Sequence, residues 1–198
     1  MKQELKHFII GDSFGGNQTW ISETIPRGGC AVITASDCCM YFDLYKGTKL
    51  CPRCSPQPSR EKYVQLCKEI VSYLCVGPTG IDSLEPFMDG LANYMKDQGG
   101  PVMSMRPFSG SKSLKEAQEI ISHQIANGFP IPCLTLHHKQ PAFQIYDWHW
   151  YLLMGYEQVD RKYLVKAVTY GRGNWLDLSQ LWETGYDQKG GLVLFSQQ

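Results

Sequence analysis

Apolar positions recur at helical spacing through roughly the first two thirds of the chain. Three helices are predicted from this spacing, at residues 60–75, 83–97 and 113–127. The third begins with Ser113 and carries Glu116 three residues later, the pattern of a capping box. A fourth helix is predicted from residue 30, where the apolar run covers nearly every side, as is typical of a central buried helix.

From residue 129 onwards the pattern changes to that of strands. Strands are predicted at 131–137, 145–156, 163–169, 175–178 and 191–195, with a short helix at 178–184. Helices followed by an antiparallel sheet are typical of an α+β fold. We therefore expect a single domain over residues 1–198, with a helical half of about 1–128 and a sheet half of about 129–198.

Composition and charge exclude several classes of protein. The 198 residues carry 19 Lys and Arg against 19 Asp and Glu, so no basic surface for nucleic acid is expected. No apolar run approaches the ~18 residues of a membrane span, and the N-terminus lacks the apolar core of a signal peptide. The sequence therefore predicts a cytoplasmic globular protein.

The chain has eight cysteines, too dilute for a small disulfide scaffold. Five of them fall on apolar positions and are predicted as core residues: Cys38, Cys39, Cys67, Cys75 and Cys133. Cys51 and Cys54 have the two-residue gap of a zinc knuckle, but no second such pair is present, so a polar loop is the simpler interpretation.

Cys30 has a different setting from the other cysteines. It follows Arg27, Gly28 and Gly29 and opens the predicted central helix. Free N–H groups and the positive end of the dipole at a helix N-terminus lower the pKa of a thiol. The sequence therefore predicts that Cys30 is a nucleophile.

One of the five histidines is the preferred partner for Cys30. Four are predicted to be structural or solvated: His7 near the terminus, His123, His137 and His138. His149 begins a largely apolar strand, where its imidazole would be held at the edge of the core. A cysteine at a helix start and a histidine on a strand fit the arrangement of nucleophile and general base.

These stretches resemble the papain-like cysteine peptidases, and within them the bacterial peptidases that process bacteriocin leader peptides. The matching segments occur in family order over most of the chain: GGNQTW, RGGCAVITASDCCMYF, GLANYMKDQGG, KEAQEIISHQIANGFPIPCLTL, DWHWYLLMGYEQVDRKYLVKAVTYG and WLDLSQLWE. The resemblance implies a papain-like fold in which the Cys-bearing helix packs against an antiparallel sheet that carries the histidine.

The resemblance also implies roles for individual residues. Cys30 would be the nucleophile and His149 the base, while Gln18 would line the oxyanion hole, with Asn17 as its close rival. The family places an Asn or Asp, which orients the imidazole, just before an aromatic-Gly pair. That position falls on Val168 here, beside Thr169, so the third member is missing and Thr169 is a substitute.

Other partners for the imidazole remain open at this point. They are Asp147, Asn174, Asp177, a backbone carbonyl and a water molecule, although Asn174 reads more simply as a turn residue and Asp177 as a helix cap.

The resemblance predicts a cysteine peptidase or amidohydrolase that acts through a Cys30–His149 dyad and an acyl-enzyme intermediate. Its partner would be a peptide or protein substrate, and no metal or organic cofactor is expected. Two alternatives follow from the same residues: a catalytically impaired papain-fold domain that binds a peptide or protein, and a Cys-His acyltransferase. Oligomeric state is not predicted.

Overall fold

The computed structural model describes residues 1–51, 57–99 and 103–197. The helices are α1 (Gly29–Lys46), α2 (Arg60–Ile70), α3 (Leu84–Asp97), α4 (Leu114–Ala126) and α5 (Leu178–Trp182), with 3-10 turns at Gln18–Trp20 and Pro141–Tyr146. The strands are β1 (Lys2–Glu4), β2 (Ile9–Ile10), β3 (Ser13–Phe14), β4 (Ser104–Ser109), β5 (Ile131–Thr135), β6 (His149–Val159), β7 (Lys162–Thr169), β8 (Arg172–Asp177) and β9 (Gly190–Ser196).

The fold is α+β, built on one large antiparallel sheet. Six strands lie in the order β4-β9-β5-β6-β7-β8, and β1 pairs with the far end of β6. The short strands β2 and β3 form a separate hairpin. Strands β1 and β4 come from the first 128 residues but belong to the sheet, so the expected division into a helical half and a sheet half is not followed.

Each face of the sheet is covered by its own apolar core. One core packs α1, α2 and α3 on one face, where Phe87 and Trp150 stack at a centroid distance of 4.3 Å. The other core packs α4 and α5 on the opposite face, around Tyr151 and Leu153. Because successive strand residues point to opposite faces, Trp150 and Tyr151 serve different cores.

Helix α1 is the central element of the first core. Its residues from Ala31 to Phe42 are all buried, as the all-round apolar pattern predicted. It packs against β6 and α2, which brings the start of the helix to the strand that begins with His149.

Most element predictions are confirmed, whereas the start of one strand, the end of one helix and the burial of one cysteine are corrected. The capping box of Ser113 and Glu116 is present at the start of α4. The strand predicted from residue 145 begins only at His149, because residues Pro141–Tyr146 form a 3-10 turn that opens with proline. Cys75 was predicted to be buried but is exposed, since α2 ends at Ile70 and the apolar stripe does not reach it.

The other four predicted core cysteines, Cys38, Cys39, Cys67 and Cys133, are buried. Within the described ranges, no helix is both long and apolar enough to cross a membrane.

Candidate functional site

Cys30 is the second residue of α1, as the sequence predicts. The preceding Gly28 adopts a left-handed conformation with φ of 67°, which a glycine adopts without strain. A Cβ atom at Gly28 would lie only 2.7 Å from Val76 Cγ1, so the turn also needs a residue without a side chain. These constraints place the partly buried thiol of Cys30 at the free N-terminus of the helix.

His149 is buried and has one clear hydrogen-bond partner. Its Nε2 lies 2.7 Å from Oγ1 of Thr169, on the neighbouring strand β7. The ring of Tyr170 stacks on the imidazole at a centroid distance of 4.9 Å, with an angle of 3° between the planes. Among the described residues, Nδ1 of His149 has no hydrogen-bond partner, so in the tautomer that carries its proton on Nε2 it is available as a proton acceptor.

The thiol of Cys30 lies next to this strand. The backbone N–H of Trp150, the residue after His149, is one of three N–H groups directed at the sulfur; the others belong to Ala31 and to Cys30 itself. Cys30 and Thr169 line the same cavity of about 10 Å³, which has room for no more than one water molecule. In the described part of the chain no hydrogen bond joins the thiol to the imidazole.

Burial controls the protonation of both groups. It raises the pKa of the Cys30 thiol above its ordinary value, against the smaller lowering effect of the three N–H groups. Burial also lowers the pKa of His149 to about 4. The helix N-terminus was expected to lower the thiol pKa, and that expectation is wrong here because desolvation is the larger effect. Both groups are therefore neutral at pH 7.

Gln18 and Asn17, the two predicted candidates for the oxyanion hole, have different surroundings. Both amide atoms of Asn17 are engaged: its Nδ2 donates to the carbonyl oxygen of Tyr170, and its Oδ1 accepts the backbone N–H of Thr19. Gln18 lines the cavity beside Cys30, and its Oε1 is buried without a hydrogen-bond partner among the described residues. The unpaired atom seen at Gln18 is an acceptor, whereas a role in the oxyanion hole would use its Nε2–H₂ donor.

Two aromatic residues with strained backbones flank the histidine and threonine. Trp148, directly before His149, has φ of 51°, and Tyr170, directly after Thr169, has φ of 50°. Left-handed conformations are uncommon for bulky residues and cluster at functional sites. The Trp148 backbone N–H donates to Leu136 O and its ring Nε1–H to Thr79 O, which hold it in this conformation. Sequence reasoning had no signal for this strain.

Several other candidate partners of His149 are engaged elsewhere. Asp147 accepts the backbone N–H of His138 and lies 3.6 Å from Nδ1 of His137. Asp177 caps α5 by accepting the backbone N–H of Ser179, as predicted. Asn174 lies in β8 rather than in a turn, and its amide contacts the Tyr146 hydroxyl at 3.5 Å.

Val168 and Thr169 point to opposite faces of β7. Val168 belongs to the apolar core around α1, and Thr169 reaches the imidazole. The family position for an orienting side chain was counted to Val168, but the hydroxyl that contacts His149 is one residue later.

His7 was expected to be structural or solvated near the terminus, and its ring is packed. The ring lies between Phe8 and Phe14, with ring centroids 4.7 Å from each, and both of its nitrogens are buried. Neither ring nitrogen has a hydrogen-bond partner within the described residues. The segment is held in place because β1 pairs with β6 and Leu5 donates its N–H to Met154 O.

The predicted alternative of a zinc knuckle falls partly outside the described residues. Cys51 is buried, whereas Cys54 lies in the segment 52–56 that the structure does not describe. Over residues 1–51, 57–99 and 103–197, no group of three or more His, Cys, Asp or Glu side chains is arranged to hold a metal ion.

A much larger groove of about 1190 Å³ borders the strand that carries His149. Trp148 lies on its wall, together with Leu134 and Leu136 near the end of β5. The start of α3, strand β4, helix α4 and the segment before β9 complete the walls. The groove has the volume of a site for a small molecule or a short peptide.

Comparison of the chain with protein-family models, with curated proteins and with solved structures finds no match in any of the three.

Proposed function

We propose that the protein is a cysteine peptidase or amidohydrolase of papain-like architecture, with Cys30 as nucleophile and His149 as general base. The observation that carries the proposal is the juxtaposition at the start of β6. The backbone N–H of Trp150 lowers the pKa of the Cys30 thiol, and His149, the residue before Trp150 in the chain, is oriented by the Thr169 hydroxyl. Nucleophile, base and orienting group are the three parts that acyl transfer through a thiol requires.

The protonation states define how the first step proceeds. Because the thiol and the imidazole are both neutral at pH 7 and no hydrogen bond joins them in the described part of the free protein, the first step requires the two groups to come into contact when substrate binds. The proton then moves from Sγ to Nδ1 of His149 as Sγ forms a bond to the substrate carbonyl carbon. In this tautomer Nε2–H donates to Thr169 Oγ1, and the imidazolium keeps that bond.

Two donors would stabilise the oxyanion that forms in this step. The backbone N–H of Cys30 has no partner within the helix because it belongs to the first turn of α1, so it can turn from the sulfur to the oxyanion. The amide N–H₂ of Gln18 lies at the same cavity and supplies the second donor. His149 then gives its proton to the leaving amine as the C–N bond breaks, and water hydrolyses the Cys30 thioester and releases the acid.

Acyl-enzyme formation is the sharpest test of this proposal. Incubation with p-nitrophenyl esters of N-acetylated dipeptides should release about one equivalent of p-nitrophenolate in a burst and add one acyl group to Cys30, located by peptide mapping. The variant Cys30→Ala should give no burst, and His149→Gln should slow it by about 10²-fold or more.

The matched control is Cys75→Ser, which removes an exposed thiol outside the site and should leave the burst unchanged. Acylation that maps to Cys75, or a burst at Cys30 that does not depend on His149, would contradict the proposal.

A domain that binds peptides without cleaving them is the second candidate. The raised thiol pKa and the lack of a hydrogen bond between Cys30 and His149 favour it over an enzyme with a preformed ion pair. In that case the wild type would bind peptides measurably by calorimetry, and Cys30→Ala would bind them equally well with no burst in either protein.

A further inference from the structure

Asp37 is a buried carboxyl group on the same helix as the proposed nucleophile. It lies seven residues after Cys30, which is two turns of α1 and therefore the same face. Its side chain is 3% exposed, and it lines the same cavity as Cys30 and Gln18. Among the described residues no cation pairs with it, and burial raises its pKa to about 7.

The carboxyl group binds the loop that carries Gln18. Oδ1 accepts the backbone N–H of Gly16 at 3.0 Å and the hydroxyl of Tyr63 at 2.6 Å, while Oδ2 lies 3.3 Å from the same Gly16 nitrogen. Tyr63 comes from α2, so Asp37 joins two helices and the loop at one point.

The loop lies so close to these side chains that only glycine fits. A Cβ atom at Gly16 would lie 2.1 Å from the Tyr63 hydroxyl oxygen. At Gly15 it would lie 2.6 Å from Asp37 Oδ2 and 2.5 Å from His7 Nε2, and this glycine has φ of 73°. The close approach of the backbone is what allows Gly16 to donate directly to the carboxyl group.

The other end of the loop is attached to the histidine side of the site. Asn17 donates its side-chain N–H₂ to the Tyr170 carbonyl oxygen, and Tyr170 stacks on His149. Gln18 follows immediately, as the first residue of the 3-10 turn. Asp37 and Tyr170 thus hold the residues directly before Gln18 from two sides.

We propose that Asp37 is a positioning residue, which places the Gln18 amide at the oxyanion hole by binding the Gly16 N–H. The inference rests on the proposed function for its catalytic consequence. A carboxyl group taken out of water without a cation is a poor way to stabilise a core, and an apolar side chain of similar volume is often neutral or stabilising at such a site. Its hydrogen bond to the loop explains what it does there.

The test compares Asp37→Asn, Asp37→Leu and matched controls at Asp43. Asparagine keeps an acceptor for Gly16 N–H, whereas leucine removes it. Asp43 lies on the same helix and anchors a different loop, by accepting the backbone N–H groups of Leu50 and Cys51 at 2.7 Å each. Asp43→Asn and Asp43→Leu therefore report the effect of releasing a loop remote from Gln18.

Two measurements separate positioning from general stability. With the dipeptide p-nitrophenyl esters, Asp37→Leu should lower kcat by at least about tenfold with little change in KM, because loss of an oxyanion donor costs about 10²–10³ in kcat. Affinity for a dipeptide aldehyde, which adds to the thiol as a hemithioacetal, should fall in parallel. Alkylation of Cys30 by iodoacetamide needs no oxyanion donor and should stay unchanged, and Asp37→Asn should restore most of kcat.

Hydrogen exchange of the peptide covering residues 13–20 provides a readout that does not depend on activity. Asp37→Leu should raise exchange at Gly16, whereas Asp43→Leu should not. Unchanged exchange at Gly16, or equal losses of kcat in the two leucine variants, would overturn the inference. Increased exchange in a protein whose wild type never acylates Cys30 would support the positioning contact and overturn the proposed function instead.

Discussion

Replacing Thr169 by valine removes one hydroxyl group and tests how His149 is oriented. Threonine and valine have nearly the same shape, so the substitution leaves the packing of β7 in place. What it removes is the 2.7 Å contact between Thr169 Oγ1 and His149 Nε2, both in residues that are less than a tenth exposed. The imidazole nitrogen then has no replacement partner among the described residues.

The size of the effect follows from burial. A buried polar group left without its partner costs about 1–3 kcal/mol, so the free energy of unfolding should fall by about that amount. In the proposed mechanism the same bond also fixes the tautomer with the proton on Nε2 and stabilises the imidazolium during acyl transfer. At about 1.4 kcal/mol for each factor of ten, kcat/KM should fall roughly 10- to 100-fold.

Urea unfolding and initial rates with the dipeptide esters measure the two effects, and ¹⁵N NMR of the imidazole reports the tautomer. Thr169→Ser keeps the hydroxyl and is the matched control, which should retain the wild-type tautomer and most of kcat/KM. If Thr169→Val keeps wild-type kcat/KM and an unchanged Nε2–H signal, the hydroxyl does not orient the base.

Three further predictions concern the candidate site and the residues around it. Thr169→Asn should raise kcat/KM above that of Thr169→Val, which esterase rates measure. Val168→Asn should give no such gain and should lower the free energy of unfolding by about 1–3 kcal/mol in urea, because Val168 lies in the apolar core. Stability should fall as the pH drops from 6.5 towards 4, because burial lowers the pKa of His149 to about 4 and in that window the native protein binds fewer protons at this group than the unfolded chain does. The loss from this group should reach about 3 kcal/mol by pH 4. Asp37, with its pKa raised to about 7, opposes this loss, so Asp37→Asn should steepen the acid destabilisation in urea unfolding at pH 4.5 and 6.5. Cys30 should react with iodoacetamide more slowly than exposed Cys75 at pH 7, because burial raises its thiol pKa; equal or faster labelling of Cys30 by peptide mapping would contradict this.

Hydrophobic periodicity predicted most of the helices and strands and pointed to the two main residues of the candidate site. An apolar run that covers every side of a helix identified α1 as central. Cys30 was identified because it follows two glycines at the start of that run. His149 was identified because it opens the long apolar strand β6. These are properties of a single helix or strand, so they can be predicted from the sequence alone.

The parts that sequence did not predict depend on contacts between elements. Whether Val168 or Thr169 reaches the imidazole is decided by which face of β7 each occupies, and a one-residue error exchanges the two faces. Burial of His7 depends on the pairing of β1 with β6, which joins residues more than 150 positions apart. A signal for Asp37 was present, since it is the only charged residue between Cys30 and Phe42, but its partner Gly16 lies in another segment.

One segment, residues 76–81, contacts both the start of α1 and the start of β6. Val76 packs on the glycine turn before Cys30, and a Cβ atom at Gly80 would lie 3.7 Å from the Gly28 backbone. In the same segment, Thr79 O accepts the ring N–H of Trp148, which is the residue directly before His149. The carbonyl oxygen of Ile81, in the same segment, accepts the ring N–H of Trp150 at 2.7 Å. Residues 76–81 therefore bridge the start of α1, which carries Cys30, and the start of β6, which carries His149.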